Sequence, residues 1–248
     1  NLEYQGDVAN AGDSVRILQL ARPTVTTTTD GAPITISSFE ALSDASATMT
    51  ILQQSYFAQV LNKSDLAQSV DGVMEKVAVG GAYEIADAID THILTVASGA
   101  TKVPASAVKV ETSNILSKMD DCLQELYSNN VKPADEIEFI VTPRFYTIFR
   151  QAYQTLDTNN SAMLKNGQVG TYNGAVVRMS NNIATANGGA EDLCIVRTKR
   201  AVAFVEQIND TEVLPRYDGF GKVVKGLALY QAQIIQPNEI VVLNVKYA

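Results

Sequence analysis

Between Ser64 and Ser98 the apolar positions fall on one helical face: Leu66, Val70, Val73, Val77, Ile85, Ile89, Ile93 and Val96, at steps of three and four residues or their multiples. Asp71, Glu75, Glu84, Asp87 and Asp90 fall mostly elsewhere. Ser64 reads as the N-cap and Asp65 as the acid favoured by the helix dipole. Ser98-Gly99 reads as the stop, which predicts one helix of about 34 residues and about 50 Å. Gly80-Gly81 interrupts it at a cost of about 1–2 kcal/mol relative to alanine, so a kink or a close backbone contact is expected there. Two shorter helices follow from Ile115, Leu116, Met119, Leu123 and Leu126, and from Thr142-Pro143 through Tyr153, where Pro occupies the favoured first position.

Period-two, β-branched patterns fill the rest. Near the start, Ser14 to Leu20 and Thr48 to Leu52, the latter continuing through Tyr56 to Val60, read as two arms of a long β-hairpin. The connection from Thr24 to Ser46 is rich in Thr and Ser, is punctuated by Asp30-Gly31-Ala32-Pro33 and is too poor in large apolar groups for a core of its own. Ile137 to Val141 and Leu193 to Val196 are short strands, with Gly-rich turns between Asn166 and Ser180. The last quarter reads as Ala201–Val205, Glu212–Tyr217, Lys222–Ile235 and Ile240–Val245, separated at Asn209-Asp210, Asp218-Gly219 and Pro237-Asn238. The pattern is α+β, without a solenoid repeat.

At 248 residues with 46% hydrophobic content, the chain is long enough for a substantial core. The 19 basic residues against 27 acidic ones give a net charge of −8, which disfavours general duplex binding without excluding the enclosure of a nucleic acid. Cys122 and Cys194 are too few for a disulfide framework and read as buried thiols. No apolar run reaches the length of a membrane span, and no signal-peptide pattern is present. The chain starts at Asn1, which fits a processed, truncated or partly disordered N-terminus.

A search for chemistry ends without a constellation. The one histidine, His92, supplies neither a triad nor a zinc site and reads as a packing or solvated side chain. Asp157 to Ser161 has the start of a calcium-loop pattern, but Ala162 stands where Gly is needed and Gln168 where Glu is needed. Arg197-Thr198-Lys199-Arg200 lacks interleaved aromatics and reads as a solvated or subunit-contacting corner. No catalytic, cofactor-binding or metal-ligating residues are assigned, and an enzyme is not expected.

The order of elements resembles the Hong Kong 97-type major capsid (coat) proteins of tailed bacteriophages. Gly12 to Ile17 looks like the entry to that family's extended loop, and Phe57-Ala58 through Ser69 like the approach to its spine helix. Ala86 to Asp90 looks like the end of that helix, and Val141 to Tyr146 like a strand-to-helix junction of the axial domain. The Gly-rich turn from Asn166 to Asn181 and the return through Ala201–Gln207, Phe220-Gly221 and Val224–Gly226 follow in the same order. The resemblance implies an extended β-hairpin loop, a long spine helix, a peripheral β-sheet and an α/β axial domain. It divides the chain into an arm remnant (1–11), an extended loop (12–60), spine helix and peripheral domain (61–110), axial domain (111–200) and returning peripheral strands (201–248). The arm is shorter than is usual in the family.

By that resemblance the chain is expected to be a non-enzymatic major head protein without cofactors. It would assemble with copies of itself in hexamers and pentamers into an icosahedral shell around double-stranded DNA, which it would not read by sequence. Scaffold, portal and decoration proteins are the other expected partners, no membrane is involved, and assembly is placed in the bacterial cytoplasm before residence in the virion. An encapsulin-like nanocompartment shell is the alternative within the fold, and a secreted β-rich binding module is the alternative outside it. Some relatives weld subunits through an extended-loop lysine, but no lysine precedes Lys63 here, so cohesion is expected to be non-covalent. Ordering the Thr-rich connection in isolation would cost about 1–2 kcal/mol per residue in backbone entropy, so a neighbouring copy is expected to shelter it. Asp30, Glu40 and Asp44 make that stretch acidic, which calls for a basic receiving patch with Lys63 and Arg216 as candidates. Gly80 and Gly81 are a possible flexing point of the spine helix.

Overall fold

The period-two runs become strands and the three-four runs become helices, with differences at a few joints. The computed structural model describes residues 14–20, 44–64, 72–132, 136–154 and 170–247, with backbone alone for 14–20, 44–47 and 208–209. In chain order the elements are β1 (Ser14–Leu20), β2 (Asp44–Thr50), β3 (Gln53–Asn62), α1 (Val73–Ala97), β4 (Val108–Lys109), α2 (Ile115–Ser128), β5 (Ile137–Val141) and α3 (Pro143–Gln154). Then come β6 (Thr171–Tyr172), β7 (Ala175–Met179), β8 (Thr185–Ala186), β9 (Glu191–Thr198), β10 (Val202–Pro215), β11 (Gly221–Ile234) and β12 (Ile240–Lys246).

A mixed sheet of seven strands runs β4-β12-β9-β5-β7-β6, with β8 paired to β9. Its central strands are buried on both faces, and strand alternation sorts their side chains into two cores. Phe139 and Val141, Cys194 and Val196, and Val241, Leu243 and Val245 face α2 and α3. There they meet Ile115, Met119, Leu123 and Leu126 from one stripe and Phe145, Phe149 and Ala152 from the other. The alternate residues Ile140, Ile195 and Ile240 face the end of α1 at Leu94 and Ala97. At 25 cal/mol per Å² such buried aromatics and aliphatics contribute about 1.5–3 kcal/mol each.

The three-stranded antiparallel sheet, β10-β11-β3, carries α1 across one face through Ile85, Ile89, Phe57, Ala228 and Tyr230. Its other face is covered by Met49 and Ile51, which pack with Ala203, Val205, Leu229 and Ile235. Those two residues root the third sheet, the ribbon β1-β2, on the three-stranded sheet. The ribbon pairs Ser14 with Thr50 and Leu20 with Asp44.

Three joints differ from the sequence reading. The helix expected from Ser64 begins instead at Val73: Lys63 and Ser64 are helical, 65–71 lie outside the described residues, and Gly72 sits at φ 93°. The left-handed glycine breaks the helical path even though the apolar period runs through it. What remains is 25 residues, about 37 Å at 1.5 Å per residue. The second hairpin arm also changes partner after Thr50, since 44–50 pair with β1 while 53–62 pair with β11. Finally, Asn209-Asp210 is no turn: β10 runs through it opposite β11, absorbing one residue in a bulge between Glu206 and Ile208. The Asp157 to Ser161 stretch and Gly167 lie outside the described residues.

Tyr247, just past β12, is tied back to the seven-stranded sheet. The hydroxyls of Thr142 and Tyr247 both donate to Asp192 Oδ2 at 2.7 Å, and the Arg144 guanidinium lies 4.1 Å from the Tyr247 ring centroid. Thr142 Oγ1 also accepts from the Phe145 N–H at 3.3 Å, so the same hydroxyl caps α3. Asp192→Ala removes the shared acceptor and is expected to cost about 1–3 kcal/mol, read as a lowered denaturant midpoint. An unchanged midpoint would show that the tie carries no stability.

Candidate assembly surfaces

Lys63 and Arg216 are far apart in sequence, and the register of β3 on β11 brings them to one corner. Asn62 pairs with Gly221, which puts the end of β3 beside the β10–β11 turn. The turn, residues 216–220, is fixed by its own polar groups. Arg216 donates from Nε and Nη2 to the Asp218 carboxylate at 2.5 and 3.1 Å, and from Nη1 to Asn62 Oδ1 at 2.9 Å. The pair holds the Asp218 carboxyl below its ordinary value and the Arg216 guanidinium above its own. The backbone N–H of Lys63 donates to the Phe220 carbonyl at 3.1 Å. Glycine is required at Gly221, where a Cβ would lie 2.3 Å from the Leu61 carbonyl oxygen.

Two large apolar side chains project from this turn. Tyr217 is 98% exposed and Phe220 85% exposed, with Val213, Leu214 and Val60 also exposed nearby. The sequence reading missed both aromatics. The Asp218-Gly219 turn signal, flanked by Tyr and Phe on an otherwise polar tip, was the available clue. Asp30 and Glu40 lie outside the described residues; the Asp44 backbone ends the ribbon opposite Leu20.

Gly80 and Gly81 lie within the continuous α1, and they differ. A Cβ on Gly81 would lie 2.3 Å from Phe57 Cζ, whereas nothing lies within 4 Å of one on Gly80. The close-contact alternative therefore describes Gly81. Beside the pair is an open groove of about 510 Å³ between α1 and β3, lined by Phe57, Ala58, Val73, Lys76, Gly80 and Glu84 among others.

The basic run at 197–200 is neutralised within the chain. Arg197 faces Glu138, Lys199 pairs with Glu136, and Arg200 Nη2 lies 3.3 Å from Glu239 Oε1. His92 packs edge-on against Tyr230 at 5.5 Å, and burial lowers its pKa. Both cysteines are buried free thiols pushed up to about 12, hence protonated and unreactive at neutral pH. Among the described residues no group of three His, Cys, Asp or Glu side chains is placed to hold a metal, and no helix is long and apolar enough to cross a membrane.

No protein-family model matches the chain, and no curated protein matches it either. Solved structures do. One titled Mycobacterium phage Che8 superposes with a TM-score of 0.80 at 23% identity, covering 98% of this chain and 88% of that one. A capsid structure of the cyanophage P-SCSP1u matches at TM-score 0.71 and 14% identity, covering 97% and 85%. The mature capsid of bacteriophage PhiM1 matches at 0.70 and 19%, covering 95% and 82%. Ribbon, long helix, three-stranded sheet and helix-covered mixed sheet, matched end to end in this way, are the α+β fold of tailed-phage major capsid proteins, and this chain has that fold.

Proposed function

We propose that this chain is the major capsid protein of a tailed bacteriophage. In this reading it self-assembles through hexamers and pentamers into the icosahedral head shell around double-stranded DNA. The observation that supports this best is the agreement of nearly the whole chain with phage capsid structures, at TM-scores of 0.70 to 0.80. The ribbon β1-β2 is then the root of the extended loop, α1 the spine, β3-β10-β11 the peripheral sheet, and the seven-stranded sheet with α2 and α3 the axial domain.

The chain acts as a building block without a catalytic role or cofactor. Its net charge of −8 favours enclosing DNA without adhering to it. A two-stranded ribbon alone in water is marginal, so the Thr-rich connection gains most when a neighbouring copy covers it. Many such modest contacts add by multivalency into a strong shell built from correctable steps. Scaffold, portal and decoration proteins are the remaining partners, and assembly takes place in the host cytoplasm.

Negative-stain electron microscopy of the purified protein tests the reading, with closed shells or rings expected. Featureless monomers at high concentration would refute it. Particles from infected cells that hold protein cargo instead of DNA would point to an encapsulin-like compartment.

A further inference from the structure

The stripe that α1 turns to the three-stranded sheet runs Ile85, Ile89 and then His92, at steps of four and three residues. An imidazole thus takes a position that the pattern reserves for apolar side chains. Its ring packs edge-on against Tyr230 of β11, with centroids 5.5 Å apart, and the Tyr230 hydroxyl is already engaged by the Ser55 hydroxyl of β3 at 2.8 Å. His92 Nε2 is buried and has no hydrogen-bond partner among the described residues. A neutral imidazole can place its unprotonated nitrogen there, whereas an imidazolium must bury a charged N–H donor with no acceptor.

The facing elements supply no compensating charge. Along β11 the same sheet face carries Ala228 and Ala232 on either side of Tyr230, and β3 adds Ser55 and Phe57. From β10, Phe204 lies against the Tyr230 ring, and the register sets Glu206 opposite Tyr230. The ladder therefore directs the Glu206 carboxylate to this face, yet its Oε1 is buried without a partner and no ion pair joins it to His92. On α1 itself, Asp90 is exposed two positions away and off the stripe, and Asp87 accepts from Asn182 Nδ2 at 2.7 Å.

We infer that His92 is an acid-sensitive latch: neutral, it seats α1 on the three-stranded sheet, and its protonation loosens that contact. The latch is a property of the fold and does not depend on the capsid reading. Burial lowers the His92 pKa from its ordinary 6.5, so the undocked state takes up the proton first. The stabilisation is present in full above about pH 7, declines as pH falls through 6.5 toward the lowered folded value, and levels off below it. His92 is the chain's only histidine, so no other side chain has its ordinary pKa in that window.

Hydrogen exchange read by mass spectrometry at about pH 7.5 and about pH 5.5, corrected for the intrinsic pH dependence of exchange, decides it. In the wild type, peptides covering residues 85–97 should exchange about three- to tenfold faster at the lower pH, while those covering α2 should not change. His92→Phe keeps a ring against Tyr230 and removes the titration, so the acceleration should vanish. His92→Gln, which has no ring, should lose it as well, and Glu206→Gln should keep it. Equal wild-type rates at the two pH values would overturn the inference. So would an acceleration that survives both His92 variants, or one that disappears with Glu206→Gln, which would assign the response to the carboxylate.

Discussion

Gly81→Ala is expected to destabilise the protein by about 1–3 kcal/mol, while Gly80→Ala, one residue away, stabilises it by up to about 1 kcal/mol. The two glycines carry the same helix-propensity penalty, so only their surroundings separate them. A Cβ at Gly81 would lie 2.3 to 2.6 Å from three atoms of the Phe57 ring. The ring also reaches the strand, where a Cβ at Gly226 would lie 2.3 Å from Phe57 Cε1, so it occupies the space that both glycines leave. Phe57 is thus a wedge between a helix glycine and a strand glycine, and it sets how closely α1 approaches β11. At Gly80 an added methyl meets no heavy atom within 4 Å and gains the full alanine preference. Chemical denaturation of the purified protein measures both variants. Their midpoints should move in opposite directions, and Phe57→Leu should relieve part of the Gly81→Ala loss. Midpoints that moved together would leave the wedge without a role. On the capsid reading proposed above, a role for flexing at the pair predicts that Gly80→Ala gives a more stable protein whose shells mature poorly, which separates flexing from packing.

Elements whose signal is local were readable from sequence, and joints set by distant partners were not. The helices α2 and α3 stood out because Ile115, Met119, Leu123 and Leu126 repeat on one face, and because Thr142-Pro143 is a cap with a pre-set first turn. The strands β5 and β12 stood out as short apolar runs. The start of α1 was misplaced because Leu66 and Val70 keep the helical period, and periodicity cannot register that Gly72 is left-handed. The partner change at Ile51-Leu52 was invisible for a related reason: alternation persists through it while the pairing strand switches from β1 to β11. Asn209-Asp210 carried a turn signal that ladder pairing overrode.

Charge alone named Lys63 and Arg216 as candidates, and pairing of β3 with β11 places the two at one corner of the fold. The aromatics at its centre were passed over because exposure cannot be inferred from residue type; Phe and Tyr at a strand end ordinarily signal a core edge. The Phe57 wedge was beyond reach in principle, since Gly81 and Gly226 are brought to the same ring only by tertiary folding.

Glu138→Ala is expected to cost about 3 kcal/mol, the largest effect of any single charged side chain among those described. Glu138 is the second residue of β5, opposite Arg197 of β9, and only 7% of it is exposed. Its Oε2 lies 3.7 Å from Arg197 Nη2 and its Oε1 lies 3.3 Å from Arg178 Nε. The two arginines differ in what the loss would mean. The Arg178 side chain is 62% exposed, so water replaces the carboxylate there and Arg178→Ala should cost no more than about 1 kcal/mol. The Arg197 side chain is 21% exposed; burial lowers its pKa and the Glu138 charge works against that lowering. Without Glu138 the guanidinium is left mostly buried and without that carboxylate, at the low end of the roughly 3–5 kcal/mol found for broken buried pairs because some water still reaches it. Removing both charges avoids that state, so Glu138→Leu with Arg197→Met should recover most of the loss, and a double-mutant cycle should report strong coupling for this pair and little for Glu138 with Arg178. A cycle with equal couplings would place the stabilisation at the solvent edge instead of inside the sheet.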